Sequence, residues 1–273
     1  MADYATERDG VTLSISDTGE GPAVLLAHGL TATRRYVVMG STALERSGHR
    51  VIAYDARGHG VSSGAQRPED YTYDDLGRDM EAVLDAAGVQ RAVVAGASMG
   101  AHTLVWLALH HPERVGGLVV ITPAYPDEFE DPARLARWDA LSDGLRTGGV
   151  EGFVAAYGDP EVPEQWRDAV LKVIRQRLSL HARPEALADA LRAVPRSRPF
   201  QSMEDLARID VPTAVVVSDD EPDPGHPKAV GEAYAAAIPG ARLITDEPGH
   251  SPVAWQGSQL SKVIAAVVEQ AAL

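Results

Sequence analysis

Ala92-Val93-Val94-Ala95-Gly96-Ala97-Ser98-Met99-Gly100-Ala101-His102-Thr103-Leu104-Val105 is the stretch on which the reading of this chain turns. It opens with an apolar run that has no polar alternation, which suits a strand covered on both faces. It then passes through Gly96-Ala97-Ser98-Met99-Gly100 into Ala101, Leu104, Val105, Ala108 and Leu109, which keep helical spacing until Pro112. A Gly-x-Ser-x-Gly pentapeptide between a strand and a helix places its serine on a sharp, strained turn. The glycines on either side remove side chains that would collide where strand and helix nearly touch. Such a turn pushes the Ser98 hydroxyl out at the sheet edge, at the amino end of a helix whose dipole and free N–H groups favour a developing anion.

Working outward, similar apolar runs recur at Ala23 to Ala27, Val51 to Tyr54, Gly117 to Ile121, Thr213 to Val217 and Ala241 to Ile244, each closed by polar or glycine-rich residues. Helical patterns lie between them. Thr72 with Asp75 predicts an N-terminal capping box, followed by Leu76, Met80, Val83, Leu84 and Ala87 on one face and Gly88 as a stop. Pro227 opens another helix towards Ile238, and Leu260, Val263, Ile264, Val267 and Val268 give a closing helix its apolar face. This alternation predicts an α/β fold, a mainly parallel sheet flanked by helices, with its chemistry at the carboxyl ends of the strands.

The alternation is interrupted between about Ala124 and Asp205. There, helical patterns follow one another: Trp138, Leu141, Leu145; Trp166, Val170, Ile174; Leu187, Leu191, Val194. We expect a core made of residues 1–123 and 206–273, and a helical cap, 124–205, inserted after the sixth strand. Every phenylalanine of the chain, Phe129, Phe153 and Phe200, falls in that insertion together with Trp138, Trp166 and Tyr157. Trp138, Phe153 and Trp166 are therefore candidate substrate contacts in a lid over an apolar pocket, or else the insertion's own core.

Composition removes several classes of function. The 273 residues, 45% of them apolar, suffice for a large buried core. A formal net charge of −14 repels phosphate backbones and anionic lipid, so neither nucleic acid nor a membrane surface is an expected partner. The absence of cysteine removes disulfides, thiol nucleophiles and cysteine metal sites, and fits a reducing compartment. The amino terminus has neither the basic start nor the apolar stretch of a secretory signal, and no window approaches a spanning helix. The expectation is a cytoplasmic monomer or homodimer acting on a small molecule, with no metal and no cofactor. The glycines do not spell Gly-x-Gly-x-x-Gly, which argues against a dinucleotide.

A serine hydroxyl needs a base to take its proton, and the base needs an acid to hold its tautomer. His250, in Pro248-Gly249-His250 after the last apolar run and before the final helix, is the best placed of nine histidines. The acid falls in the loop Ser218-Asp219-Asp220-Glu221-Pro222-Asp223-Pro224-Gly225-His226. Asp223 is preferred for its depth in the turn, with Asp220 and Glu221 as alternatives and Asp127 as a more distant one.

Over nearly its whole length the chain resembles the α/β-hydrolase fold superfamily. The matching pieces, in family order, are His28-Gly29, Asp55-Ala56-Arg57-Gly58-His59-Gly60, Gly96-Ala97-Ser98-Met99-Gly100 and Pro248-Gly249-His250. The resemblance implies an oxyanion hole made by the backbone N–H groups of Leu30 and Met99. It implies esterase, thioesterase, lactonase, amidase, carbon–carbon hydrolase or cofactor-free perhydrolase chemistry. The dehalogenases and epoxide hydrolases of this fold carry aspartate where Ser98 stands. A carboxylic ester of a small, largely apolar molecule is the expected substrate; a non-catalytic ligand-binding member of the fold is the rival from another class. Arg34 and Arg35 follow the oxyanion segment and are candidate partners for a substrate carboxylate.

Overall fold

In a computed structural model, residues 2–124, 131–218, 225–245, 255–271 and 273 are described. Among them, strands β1 (Ala2–Arg8), β2 (Val11–Thr18), β3 (Ala23–Ala27), β4 (Arg50–Tyr54), β5 (Ala92–Ala97), β6 (Val115–Ile121), β7 (Thr213–Val217) and β8 (Arg242–Thr245) form one sheet. Its order is β1-β2-β4-β3-β5-β6-β7-β8. All the neighbours from β4 to β8 pair in parallel, and only the pairs made by β2 are antiparallel.

Each strand expected from an apolar run forms, with small shifts at its ends. The β1–β2 hairpin goes beyond that reading, for a physical reason. Only one face of β2 meets the core, so Val11, Leu13 and Ile15 are buried and alternate with half-buried Thr12, Ser14 and Ser16 instead of forming a continuous run. Its turn is Asp9-Gly10, with φ of 50° and 76°, the paired left-handed residues that a two-residue hairpin loop needs.

The parallel strands are covered on both sides. Leu25, Val94, Leu118 and Val215 point to the face packed by α2 (Tyr73–Ala86) and α3 (Met99–His110), with α1 (Ala43–Arg46) on the other side. Val24, Leu26, Val93, Val119 and Val216 point to that opposite face, where α8 (Gly257–Val268) brings Leu260, Ile264 and Val267. The Thr72–Asp75 capping box of α2 forms in both directions, and Gly88 just beyond the helix has φ of 67°.

Between β6 and β7 the chain runs through α4 (Pro132–Tyr157), α5 (Glu164–Leu178) and α6 (Pro184–Ala193), while α7 (Lys228–Ala237) follows β7. α4 is really two helices that reverse at Gly149, where φ is 60° and ψ −147°. Its halves then meet at Gly144 and Gly152, so closely that a Cβ on Gly152 would lie 2.1 Å from the Gly144 carbonyl oxygen. No helix among the described residues is long and apolar enough to cross a membrane.

Candidate active site

β3, β5 and β6 lie side by side at the centre of the sheet, so the turns at their carboxyl ends converge. At the end of β5, Ser98 adopts φ 51° and ψ −111° and is the residue immediately before α3. A non-glycine residue in that region is strained and persists only where its surroundings hold it. Here the hold comes from the Ser98 N–H donating to Ile121 O at 3.0 Å and from the His102 N–H donating to Ser98 O at 3.1 Å. The two motif glycines are required by contact. A Cβ on Gly96 would lie 2.6 Å from the Gly100 carbonyl, and one on Gly100 would lie 2.2 Å from Ala27 O.

The segment expected to supply an oxyanion donor reaches Ser98 from β3. Gly29 faces the serine, with room for a Cβ only 3.5 Å from Ser98 Cβ. Residues 29–32 form a turn closed by the Ala32 N–H donating to Gly29 O at 2.9 Å. His28 Nδ1 also lies 2.9 Å from that carbonyl oxygen. Because the ring's Nε2 accepts the Ala56 N–H at 2.9 Å, the proton is on Nδ1 and donates to Gly29 O. In a trans peptide the N–H points opposite to its C=O, so fixing the Gly29 carbonyl on one side aims the Leu30 N–H to the other. Met99 is the first residue of α3, so its N–H has no acceptor within the helix. Both residues are buried.

An imidazole contacts the serine: His226 Nε2 lies 2.9 Å from Ser98 Oγ. His226 closes the loop between β7 and α7, and is half-buried. In the sequence it stands only as the end of the acidic loop that begins at Ser218. The one available signal was its position after a parallel strand two places from β5. Behind it, His102 Nδ1 lies 2.9 Å from Tyr73 Oη, and the His102 ring stacks on Tyr234 at 6.3 Å. Burial, reinforced by the charge His226 can carry, pushes His102 down to about 3, so it stays neutral.

The other sequence-derived candidates divide sharply. Asp223, His250 and the alternatives Asp220, Glu221 and Asp127 lie outside the described residues. Arg34, expected at a substrate carboxylate, is committed to the scaffold instead. Its backbone N–H donates to Asp55 Oδ1 at 2.9 Å, and its guanidinium donates to Ser14 Oγ at 2.7 Å and to Asp55 Oδ2 at 3.3 Å. Arg35 is exposed, with its guanidinium alongside Gly40. Phe153, 2% exposed, is spent on packing and stacks on Tyr157 at 6.2 Å. Trp138 and Trp166 are half-buried, on α4 and α5.

A strained serine between a parallel strand and a helix, with the β3 turn folded over it, defines the nucleophile elbow of an α/β hydrolase. A model of the family described as the alpha/beta hydrolase fold matches residues 22–148. Among curated relatives, 3-oxoadipate enol-lactonase 1 from Acinetobacter baylyi is 28% identical over 80% of this chain and 79% of its own. The crystal structure of a hydrolase from Pseudomonas aeruginosa PA01 superposes with a TM-score of 0.74 at 30% identity, covering 98% of this chain and 97% of that one. A thermophilic esterase from Thermogutta terrifontis does so with 0.75 at 27% identity, covering 98% and 97%. This chain belongs to the α/β-hydrolase fold family.

Proposed function

We propose that this protein is a serine hydrolase that cleaves the acyl bond of a small, largely apolar carboxylic ester through an acyl-enzyme intermediate. The observation that carries the reading is Ser98 at φ 51°, at the carboxyl edge of the sheet, with an imidazole nitrogen 2.9 Å from its Oγ. The enol-lactonase and esterase similarities support an ester, cyclic or open, as the substrate class.

In this mechanism Ser98 Oγ attacks the carbonyl carbon as the base removes its proton. The Leu30 and Met99 N–H groups receive the oxyanion, and the protonated base returns its proton to the leaving alcohol. Water then repeats the attack on the acyl-enzyme, and Ser98 is regenerated.

We assign the base to His250 and its orienting acid to Asp223. The ends of the segment that carries His250 support this. Thr245 pairs with Val217 in the sheet, and the Trp255 indole N–H donates to Val217 O at 3.0 Å. Both flanks of residues 246–254 are thus tied to the carboxyl end of β7, on the edge where Ser98 stands. A second reading makes His226 the base, favoured by its direct contact with Ser98 Oγ.

The test of the function is covalent. A fluorophosphonate should add its mass to Ser98, phenyl esters of short or medium acids should turn over without added metal, and Ser98→Ala should abolish both. A folded protein that neither labels nor turns over would make it a ligand-binding member of the fold.

A further inference from the structure

The two central residues of the 29–32 turn, and the one before them, each present a carbonyl oxygen to a different buried histidine. His28 Nδ1 lies 2.9 Å from Gly29 O, His59 Nε2 lies 2.7 Å from Leu30 O, and His181 Nε2 lies 3.3 Å from Thr31 O. The three rings form a row, with centroids 5.0 Å apart between His28 and His59 and 5.7 Å apart between His59 and His181. The rings are 2%, 0% and 6% exposed, while Gly29 and Thr31, which supply the outer two carbonyls, are half-buried.

His28 and His59 belong to the core. His181 does not: it sits in the turn between α5 and α6, within the helical insertion, 150 residues along the chain from the carbonyl it meets. Its protonation pattern is decided by its partners. Nδ1 accepts the Gly60 N–H at 2.9 Å, which leaves the proton on Nε2, facing Thr31 O. Burial, with His59 and His28 nearby, holds the ring down at about 3, so this neutral tautomer persists across the neutral range.

Around His181 the insertion is seated firmly on the 58–64 loop. The Ala182 N–H donates to Gly60 O at 2.8 Å, and Arg183 Nη1 donates to Val61 O and Ser62 O at 3.2 Å each. Ala186 packs where a Cβ on Gly64 would be, 2.7 Å away. An anchor would need no more than these contacts. The hydrogen bond to Thr31 is additional, and it touches the turn that carries Leu30, one of the two oxyanion donors of the serine-hydrolase reading.

We propose that His181 is a positioning residue for the oxyanion hole. Through the Thr31 carbonyl it holds the turn that aims the Leu30 N–H, so that the insertion and the oxyanion hole move as one unit. This rests on the serine-hydrolase reading above.

Asparagine and glutamine separate its two hydrogen bonds. His181→Asn keeps an acceptor near the Gly60 N–H but does not reach Thr31, whereas His181→Gln carries an N–H donor to the reach of Nε2. Arg183→Ala loosens the same strap without touching the turn. The readouts are the rate of Ser98 labelling by a fluorophosphonate, kcat and KM on a phenyl ester, and the melting temperature.

Complete loss of one oxyanion donor costs roughly 100- to 1,000-fold. Misaiming it through His181→Asn or His181→Ala should lower kcat and the labelling rate by about tenfold or more, with KM within about twofold. His181→Gln should recover most of the rate. Arg183→Ala should lower the melting temperature and leave labelling unchanged. If the Asn variant is folded and labels at the parent rate, or if Arg183→Ala slows labelling as much, His181 is an anchor only. Should His181→Ala fail to fold, the Asn and Gln pair decides alone. A parent protein that does not label at all removes the hydrolase reading itself, and the proposal with it.

Discussion

Replacing His226 with glutamine should leave the enzyme within about tenfold of its parent rate, whereas the same change at His250 should abolish turnover. The magnitudes that separate the two roles come from the contact itself. His226 Nε2 is 2.9 Å from Ser98 Oγ in a half-buried setting, which makes it an ordinary hydrogen bond to a hydroxyl. Such a bond contributes about 1 kcal/mol net, a factor of about five, and glutamine can replace it with its side-chain amide. A general base is different in kind. An amide cannot take the serine proton at neutral pH, and losing a triad member lowers turnover by roughly 10⁴-fold or more. About three powers of ten therefore lie between a neighbour that holds the hydroxyl and a base that deprotonates it. The assay is steady-state hydrolysis of a phenyl ester, with active sites counted by fluorophosphonate so that misfolded protein does not enter the rate. A 10⁴-fold loss in His226→Gln with His250→Gln close to the parent would refute the assignment and make His226 the base.

The acid follows the same logic: Asp223→Asn should lower turnover on the order of 10⁴-fold, with Asp220→Asn and Glu221→Gln close to the parent, and the three compared on one ester. Stability rests on a buried ion pair, Arg57 with Asp79, at 2.6 Å and 2.7 Å with exposures of 1% and 0%. Asp79→Ala should cost about 3 kcal/mol in urea unfolding, because it removes two hydrogen bonds from a buried guanidinium and leaves it the more distant Asp75 carboxylate at 3.6 Å. Acid should unfold the protein through its buried histidines. His28, His102 and His181 are held at about 3 when folded, chiefly by burial, against the ordinary value of 6.5. Their contribution is complete above about pH 6.5 and is lost as pH falls towards 3, because the unfolded chain then binds the extra protons, at about 1.4 kcal/mol per histidine per pH unit. Melting temperatures between pH 7 and 4.5 should fall less steeply in His181→Gln than in the parent. Gly100→Ala should destroy labelling of Ser98, since its Cβ would lie 2.2 Å from Ala27 O and must displace the elbow.

What the sequence alone could determine was whatever depends on neighbours along the chain. Continuous apolar runs, the Thr72–Asp75 cap and Gly-x-Ser-x-Gly encode strand, helix and elbow locally, and each formed as read. The hairpin at the amino terminus was legible too, in Asp9-Gly10 and the alternation of Val11, Leu13 and Ile15, but its period of two is weaker than a buried run. Only the tertiary structure decided which polar groups meet. Arg34 stands four residues beyond Leu30 and reads as a substrate contact, yet Asp55, just past the end of β4, takes it. His226 reads as the end of an acidic loop, yet parallel pairing of β6 with β7 carries it to Ser98. His181 carries no signal in the sequence, yet its ring meets Thr31, 150 residues away along the chain. Hydrogen bonds of this kind are set by where separate elements cross, and linear spacing carries no record of that.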